Sequence, residues 1–188
     1  MILTNNIAYF YECGIGTPVD ETKAFYYYKK AAKYGNPCAS YNLGLCYLLG
    51  KGVKVNINKA IDLLMYASEK NYPDAYYQLF HLYYDDKLVK KNNELAFYYL
   101  FKGMDLDSPR AHLAYAEIMM GNDNPSGKAD DYEGMLSIKH YLEKFMDDSL
   151  NVERYESFKE NYPEYVDWMT FEKNPALYIK DMKRGILA

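Results

Sequence analysis

Residues 43–53 read LGLCYLLGKGV. An apolar run stops at Gly50, one lysine follows, and a second glycine stands before Val53. Upstream, residues 9–19 read YFYECGIGTPV and end an aromatic run with the same Gly-x-Gly. Gly14 and Gly50 are 36 residues apart, and so are Gly16 and Gly52. A fixed spacing of a few tens of residues marks a repeat architecture, and it decides the fold before any single motif does.

Other columns obey the same spacing. Ala24, Ala60 and Ala96 form one, Ala39, Ala75 and Ala111 another, and Pro37, Pro73 and Pro109 a third. Tyr11, Tyr47 and Tyr83 form a fourth, and Ile7, Leu43 and Leu79 a fifth. Proline suits the first position of a helix, where its missing N–H is not needed. Asn36 and Ser108, just before two of these prolines, are N-cap residue types. A first helix, A, is therefore expected to start near 37, 73 and 109. Its apolar residues Ala75, Leu79, Leu82 and Tyr83 recur at helical spacing, not at strand alternation. Asp20, Asn56 and Asn92 form a further capping column, each opening a second helix, B. The small residues in B let two helix axes approach closely.

The glycine pair is then punctuation between antiparallel helices. Gly50 suits a left-handed C-cap, and Gly52 allows a tight reversal before helix B. A dinucleotide loop is excluded, since no strand precedes the pair and no third glycine follows. In the third repeat the pair becomes Asp86 and Leu88, so that turn is expected to be looser or differently shaped.

The fourth unit is degenerate. AHLAYAEIMMG, residues 111–121, reads as helix A, and NDNPSGKADD, residues 122–131, as a polar loop. YEGMLSIKHYLEKFMDD, residues 132–148, reads as helix B, with Tyr141 and Leu142 in place of the small pair Ala31 and Ala32. Residues 149–188 fall outside the period. They read as two or three short helices broken near Pro163 and Pro175, with Trp168, Met169 and Phe171 covering the last repeat or, alternatively, forming an aromatic docking patch. The fold class expected is all-α: a right-handed superhelix, or α/α solenoid, of about four 36-residue hairpins plus a C-terminal helical cap. The units are about 1–36, 37–72, 73–108 and 109–148, with the cap at 149–188.

Bulk composition narrows the function. The 188 residues are 49% hydrophobic, carry a net charge of −4 and include 23 tyrosines. Arginine occurs only at Arg110, Arg154 and Arg184. A phosphate-binding surface needs clustered Lys and Arg, so no nucleic-acid partner is expected. The group Lys87, Lys90 and Lys91 reads as a solvated turn. No apolar stretch is long enough to span a membrane, and MILTNNIAYF lacks the features of a signal peptide. Cys13, Cys38 and Cys46 are too few for a disulfide framework. A soluble cytoplasmic protein is the expectation.

The pattern A-x-x-x-L-G-x-x-Y-x-x-G-x-G-V, then K-A and A-A-x-x-G, resembles the Sel-1-like repeat, a relative of the tetratricopeptide repeat. Residues 39–74 carry it with Ala39, Leu43, Gly44, Tyr47, Gly50, Gly52, Val53, Lys59 and Ala60. Residues 8–38 carry it with Tyr11, Gly14, Gly16, Lys23, Ala24, Ala31, Ala32 and Gly35. Residues 75–110 keep Ala75, Leu79, Tyr83 and Ala96 but lose the glycine pair. The resemblance implies a right-handed superhelix whose helices A line a concave face that holds protein partners.

By that geometry, the side chains facing the groove and not used for packing are Tyr9, Glu12 and Cys13 in the first unit. In the second they are Tyr41, Leu45, Leu48 and Leu49. In the third they are Tyr77, His81 and Tyr84, with Asp85 at the edge, and in the fourth Leu113, Glu117 and Met120. Tyrosine gives broad amphipathic contact at low entropic cost, which suits an interface. The acids among them imply a partner segment with an apolar face and one or two basic groups. The competing reading is that several of these tyrosines are core.

Enzyme chemistry finds no constellation. Some relatives are linked to penicillin binding, but Ser-x-x-Lys is absent at every serine. Cysteine-rich relatives pair two cysteines per repeat; here Cys38 stands at one such position and Ala32 at its partner's, which fits a reducing compartment. His81 and Asp85 could touch one ion, but the sequence places no third ligand. Cys46 reads as inert core. No catalytic residue, metal or cofactor is expected, and the oligomeric state stays open. An adaptor or scaffold stands first. The alternative is an immunity protein or inhibitor occluding a cognate toxin, favoured by the lack of another domain to connect and of a signal peptide. A β-lactamase-like hydrolase stands last.

Overall fold

The computed structural model describes residues 2–120, 134, 137, 140, 144 and 149–161. All its described regular elements are helices: α1 (Ile2–Cys13), α2 (Glu21–Lys33), α3 (Pro37–Leu49), α4 (Ile57–Glu69), α5 (Pro73–Tyr84), α6 (Asn93–Asp105), α7 (Pro109–Met120) and α8 (Ser149–Asn161). The chain divides within α7 into two compact units, residues 1–111 and 112–188. The expected polar loop at 122–131 lies outside the described residues, as do most of the fourth helix B, Pro163, Trp168, Met169, Phe171 and Pro175.

In the first unit α1 packs on α2, α3 on α4 and α5 on α6, and successive hairpins meet through α2 with α3 and α4 with α5. This is an α/α solenoid, built as the period predicts. Pro37, Pro73 and Pro109 each open a helix A. The B helices are capped alike: Asp20, Asn56 and Asn92 accept the N–H of Lys23, Lys59 and Leu95 at 2.9, 3.0 and 3.1 Å. A side-chain N-cap is worth about 1 kcal/mol, so this column strongly biases where each B helix begins. Asn36 caps α3 through the N–H of Ala39 at 2.9 Å. Tyr72, in the same place, gives α5 no side-chain cap.

The alanine columns are the points of closest approach. Ala24, Ala39, Ala60, Ala75, Ala96 and Ala111 are all buried, and Leu64, Leu79 and Leu100 fill the space beside them. Gly44 lies against Leu64, and Gly103 against Tyr76 and Ala111; a Cβ at either would sit 3.1 Å from its neighbour. Aromatic rings complete the first two repeats, with Tyr11 stacked on Tyr27 and Phe25 edge-on to Tyr47.

The turns show which part of the glycine pair is local. The turn closes identically in all three repeats: Asp20, Asn56 and Asn92 each donate their N–H to the carbonyl of Tyr11, Tyr47 and Tyr83 at 2.9 Å. Gly50 is left-handed (φ 76°), and Asp86 takes the same region at φ 50°. The Asp86 carboxylate accepts the N–H of Lys91 at 2.8 Å, which compensates a conformation disfavoured for a side-chain-bearing residue. The third turn therefore differs in its interior and keeps its closure. Gly52 has a second reason to be glycine: a Cβ there would fall on the backbone carbonyl of Glu21, at the start of α2 in the preceding repeat.

In the second unit, Ala114, Ala116 and Ile118 are buried along α7, and the Ser137 hydroxyl donates to the His112 carbonyl at 2.8 Å. Helix α8 lies within the stretch expected to form the cap.

Candidate functional site

Three positions on one face of each helix A repeat through the chain. Asn5, Tyr41, Tyr77 and Leu113 form the first column; Tyr9, Leu45, His81 and Glu117 the second; Glu12, Leu48, Tyr84 and Met120 the third. Spacings of four and three residues place them on one helical stripe. Tyr9 is half exposed, and Leu45, Tyr77, His81 and Tyr84 are half-buried. Leu49 and Glu117 are exposed. The Met120 side chain lies outside what is described.

Several expected groove residues are in fact used for packing. Tyr41 is 5% exposed, Leu48 8% and Leu113 8%. Tyr41 packs on Tyr72, ring centroids 5.1 Å apart, and its hydroxyl accepts from Arg110 Nη1 at 3.3 Å. Tyr72 and Arg110 cover Tyr41, so a place on the helical stripe does not guarantee access.

Glu12 is likewise committed. Its carboxylate accepts from Lys51 Nζ and from the Tyr28 hydroxyl, both at 2.7 Å. Burial pushes its pKa up, but the hydrogen bonds from Lys51 and Tyr28 outweigh burial and hold it below the usual carboxylate value. Lys51 is the lysine between the two glycines of residues 43–53. Beneath the pair lies the core of the first two repeats: Ala8, Ala24, Tyr28, Leu43 and Cys46. Burial pushes the Cys46 thiol up to about 12, which keeps it an unreactive core residue, as expected. All three cysteines are free.

Arg110 is a member of this face that the sequence reading left out. It reaches Tyr41, 69 residues earlier, lies 3.7 Å from Asp74 through Nε, and stands over the Tyr77 ring at 5.8 Å. Asp74 and Arg110 share a column, so opposite charges one repeat apart were available as a signal. Beyond them, Tyr77 meets His81 edge-on at 4.6 Å, and Phe80 meets Tyr84 at 5.1 Å. Lys91 Nζ lies 4.6 Å from the Tyr84 ring centre. His81 Nδ1 is 3.5 Å from Asp85. Burial lowers the His81 pKa, and Asp85 only partly opposes it, so the ring is neutral at pH 7. Glu12 and Asp74 are thus paired with Lys51 and Arg110, whereas Asp85 faces a neutral ring and Glu117 is exposed.

Between α3 and α5 a depression of about 260 Å³ opens, lined by Leu48, Gln78, His81, Leu82, Asp85, Lys87 and Leu88. Its walls are mainly apolar, with Lys87 at the rim. Gln78, Leu82, Lys87 and Leu88 were not singled out as site residues from the sequence.

A family model described as the Sel1 repeat matches residues 4–36, 39–72 and 73–108. The chain belongs to the Sel1 repeat family. An uncharacterized protein of Neisseria meningitidis serogroup B is 32% identical to this Sel1 repeat chain over 128 residues, 68% of this chain and 25% of that protein. Chitin synthase regulatory factor 3 of Schizosaccharomyces pombe is 32% identical over 88 residues, 46% of this chain and 9% of that protein. Among solved structures, a Sel1 repeat protein from Oxalobacter formigenes superposes with a TM-score of 0.68 at 29% identity, covering 77% of this chain and 58% of that one. A protective antigen of uropathogenic Escherichia coli with an SLR fold superposes at 0.66 and 16% identity, a likeness of fold alone. The chain thus spans a quarter or less of the two relatives compared by sequence.

Proposed function

We propose that this Sel1 repeat chain is a protein-interaction module, an adaptor or scaffold, and that its helix-A face grips a segment of a protein partner. Sel1 repeat proteins generally mediate protein–protein interaction. The observation that carries the reading here is the half-buried aromatic ledge of Tyr77, His81 and Tyr84 beside the depression at Lys87. Rings on a rigid helix lose little entropy on binding and desolvate well, as interface hot spots do. The name of the fission-yeast relative, a regulatory factor, accords with action through a partner. Among the described residues no helix is long and apolar enough to cross a membrane, and the free thiols suit the cytoplasm.

The test is capture of partners from the source cell by wild-type protein and by Tyr77→Ala/Tyr84→Ala, with helicity checked by circular dichroism. The double variant should lose the captured partners and keep its helicity. Partners retained by a folded double variant would place binding elsewhere. Several weak partners would fit the adaptor; a single tight one-to-one complex would move the reading to an inhibitor such as an immunity protein.

A further inference from the structure

One junction between repeats is a template for the next. Shifted by 36 residues, Glu12 becomes Leu48, Tyr28 becomes Leu64, Lys51 becomes Lys87 and Gly52 becomes Leu88. At the first junction the chain supplies its own carboxylate: Glu12 lies between the Lys51 ammonium and the Tyr28 hydroxyl, 2.7 Å from each. At the second the lysine is kept and the carboxylate is replaced by an aliphatic side chain. What stands there instead is the depression of about 260 Å³ with Leu48, Leu82 and Leu88 in its walls.

Asp85 lies 3.5 Å from His81 Nδ1 and keeps its negative charge beside the neutral ring, and Asp86 accepts the N–H of Lys91. Lys91 lies on the Tyr84 ring. Lys87 is exposed and has no ion pair among the described residues. Burial holds His81 neutral, so Lys87 is the cation the depression offers at pH 7. The C-terminal end of α5 disfavours an anion here. Glu12 nevertheless occupies the last turn of α1 beside Lys51, so a lysine in this position outweighs that field.

We propose that the second junction binds an Asp or Glu side chain of a protein partner next to an aliphatic residue. The carboxylate pairs with Lys87, and the aliphatic group fills the space against Leu48, Leu82 and Leu88. The proposal rests on the helix-A face being the partner site and names the chemistry it selects.

The experiment is selection of a phage-displayed random dodecapeptide library on the full chain, followed by affinity measurement of the enriched peptides. Wild type should enrich Asp or Glu adjacent to Leu, Ile or Phe. Changing that acid to its amide should weaken binding about tenfold, the size of a well-placed charge pair. Lys87→Arg should keep the preference, and Lys87→Glu should turn it toward Lys or Arg. Leu48→Glu should supply the missing carboxylate in cis and suppress binding of the acidic peptides; should that variant not fold, Lys87→Glu decides. Peptides without an acid, or an acid preference that survives Lys87→Glu, overturn this proposal and leave the ledge reading standing. No enrichment on wild type overturns both, and acidic peptides that need Lys87 but are indifferent to Tyr77→Ala/Tyr84→Ala overturn the ledge reading alone.

Discussion

The first and second junctions join hairpins of the same 36-residue period, with B helices capped by Asp or Asn and turns closed by the same 2.9 Å bond. They differ in what lies between them. The first is sealed: Gly52 sits on the backbone of α2, and Glu12 joins a buried phenol to Lys51. The second has Leu88 in the glycine's place, Leu48 in the acid's, and a depression where the ion pair would be. Features that make a hairpin repeat faithfully, because each hairpin must fold its own turns. Features that join hairpins are free to diverge, and this chain places a sealed joint beside an open one.

The largest contrast is expected within one column. Gly52→Ala adds a Cβ onto the Glu21 carbonyl at a backbone with φ 66°. Strain and overpacking together should cost about 3 kcal/mol or more in a urea titration. Leu88→Ala, at the matching position of the next repeat, is half exposed and should change stability by about 0.5 kcal/mol or less. Similar costs at both positions would mean the two junctions are packed alike.

A smaller contrast concerns the ion pair. Glu12→Ala leaves the hydroxyl of fully buried Tyr28 without its acceptor, at a cost of about 1–3 kcal/mol. Adding Tyr28→Phe should return part of that loss, because the orphaned hydroxyl goes with it. Lys51 and Glu12 are both partly exposed, so Lys51→Ala alone should cost only about 0.5–1 kcal/mol. Lys87→Ala should leave stability within about 0.5 kcal/mol. A double-mutant cycle on Glu12 and Lys51 with no coupling would remove the distinction between sealed and open joints.

Sequence carried the hairpins well and the joints poorly, for a physical reason. Helix starts are written locally: a proline, a capping Asn or Asp three residues before the N–H it accepts, and a glycine where the backbone turns left-handed. The period then copies those signals along the chain. Access to the helix-A face depends instead on how far neighbouring hairpins lean together. Tyr41 and Tyr77 share a column, yet Tyr41 is buried beneath Arg110 and Tyr72 while Tyr77 stays half-buried beside His81. The Glu12–Lys51 pair spans one repeat plus three residues, a separation that local spacing rules do not weigh. Asp74 and Arg110, one full repeat apart, were more legible. Charges align down the columns as alanine and proline do, and that alignment finds them.

The finest contrast is in pH. Glu12 has a folded pKa below its ordinary 4.5, since the Lys51 and Tyr28 hydrogen bonds overcome burial. A carboxylate lowered on folding contributes stability above its unfolded pKa and loses it as pH falls through the folded value. The first junction should therefore hold down to about pH 4.5 and weaken below it. His81 has a folded pKa below 6.5 because burial disfavours its charged form, with Asp85 opposing in part. The folded chain then binds its proton less readily than the unfolded chain, so this contribution is complete above pH 6.5 and declines as pH falls through the lowered value. The second junction should thus begin to weaken in a higher window than the first. Urea midpoints across pH 8 to 3, taken as wild type minus variant, separate the two, because groups common to both proteins cancel in the difference. The difference should vary with pH in the upper window only for His81→Gln, and in the lower only for Glu12→Gln. An upper window that persists in His81→Gln would assign it to another histidine, and the open joint would then carry no titration of its own.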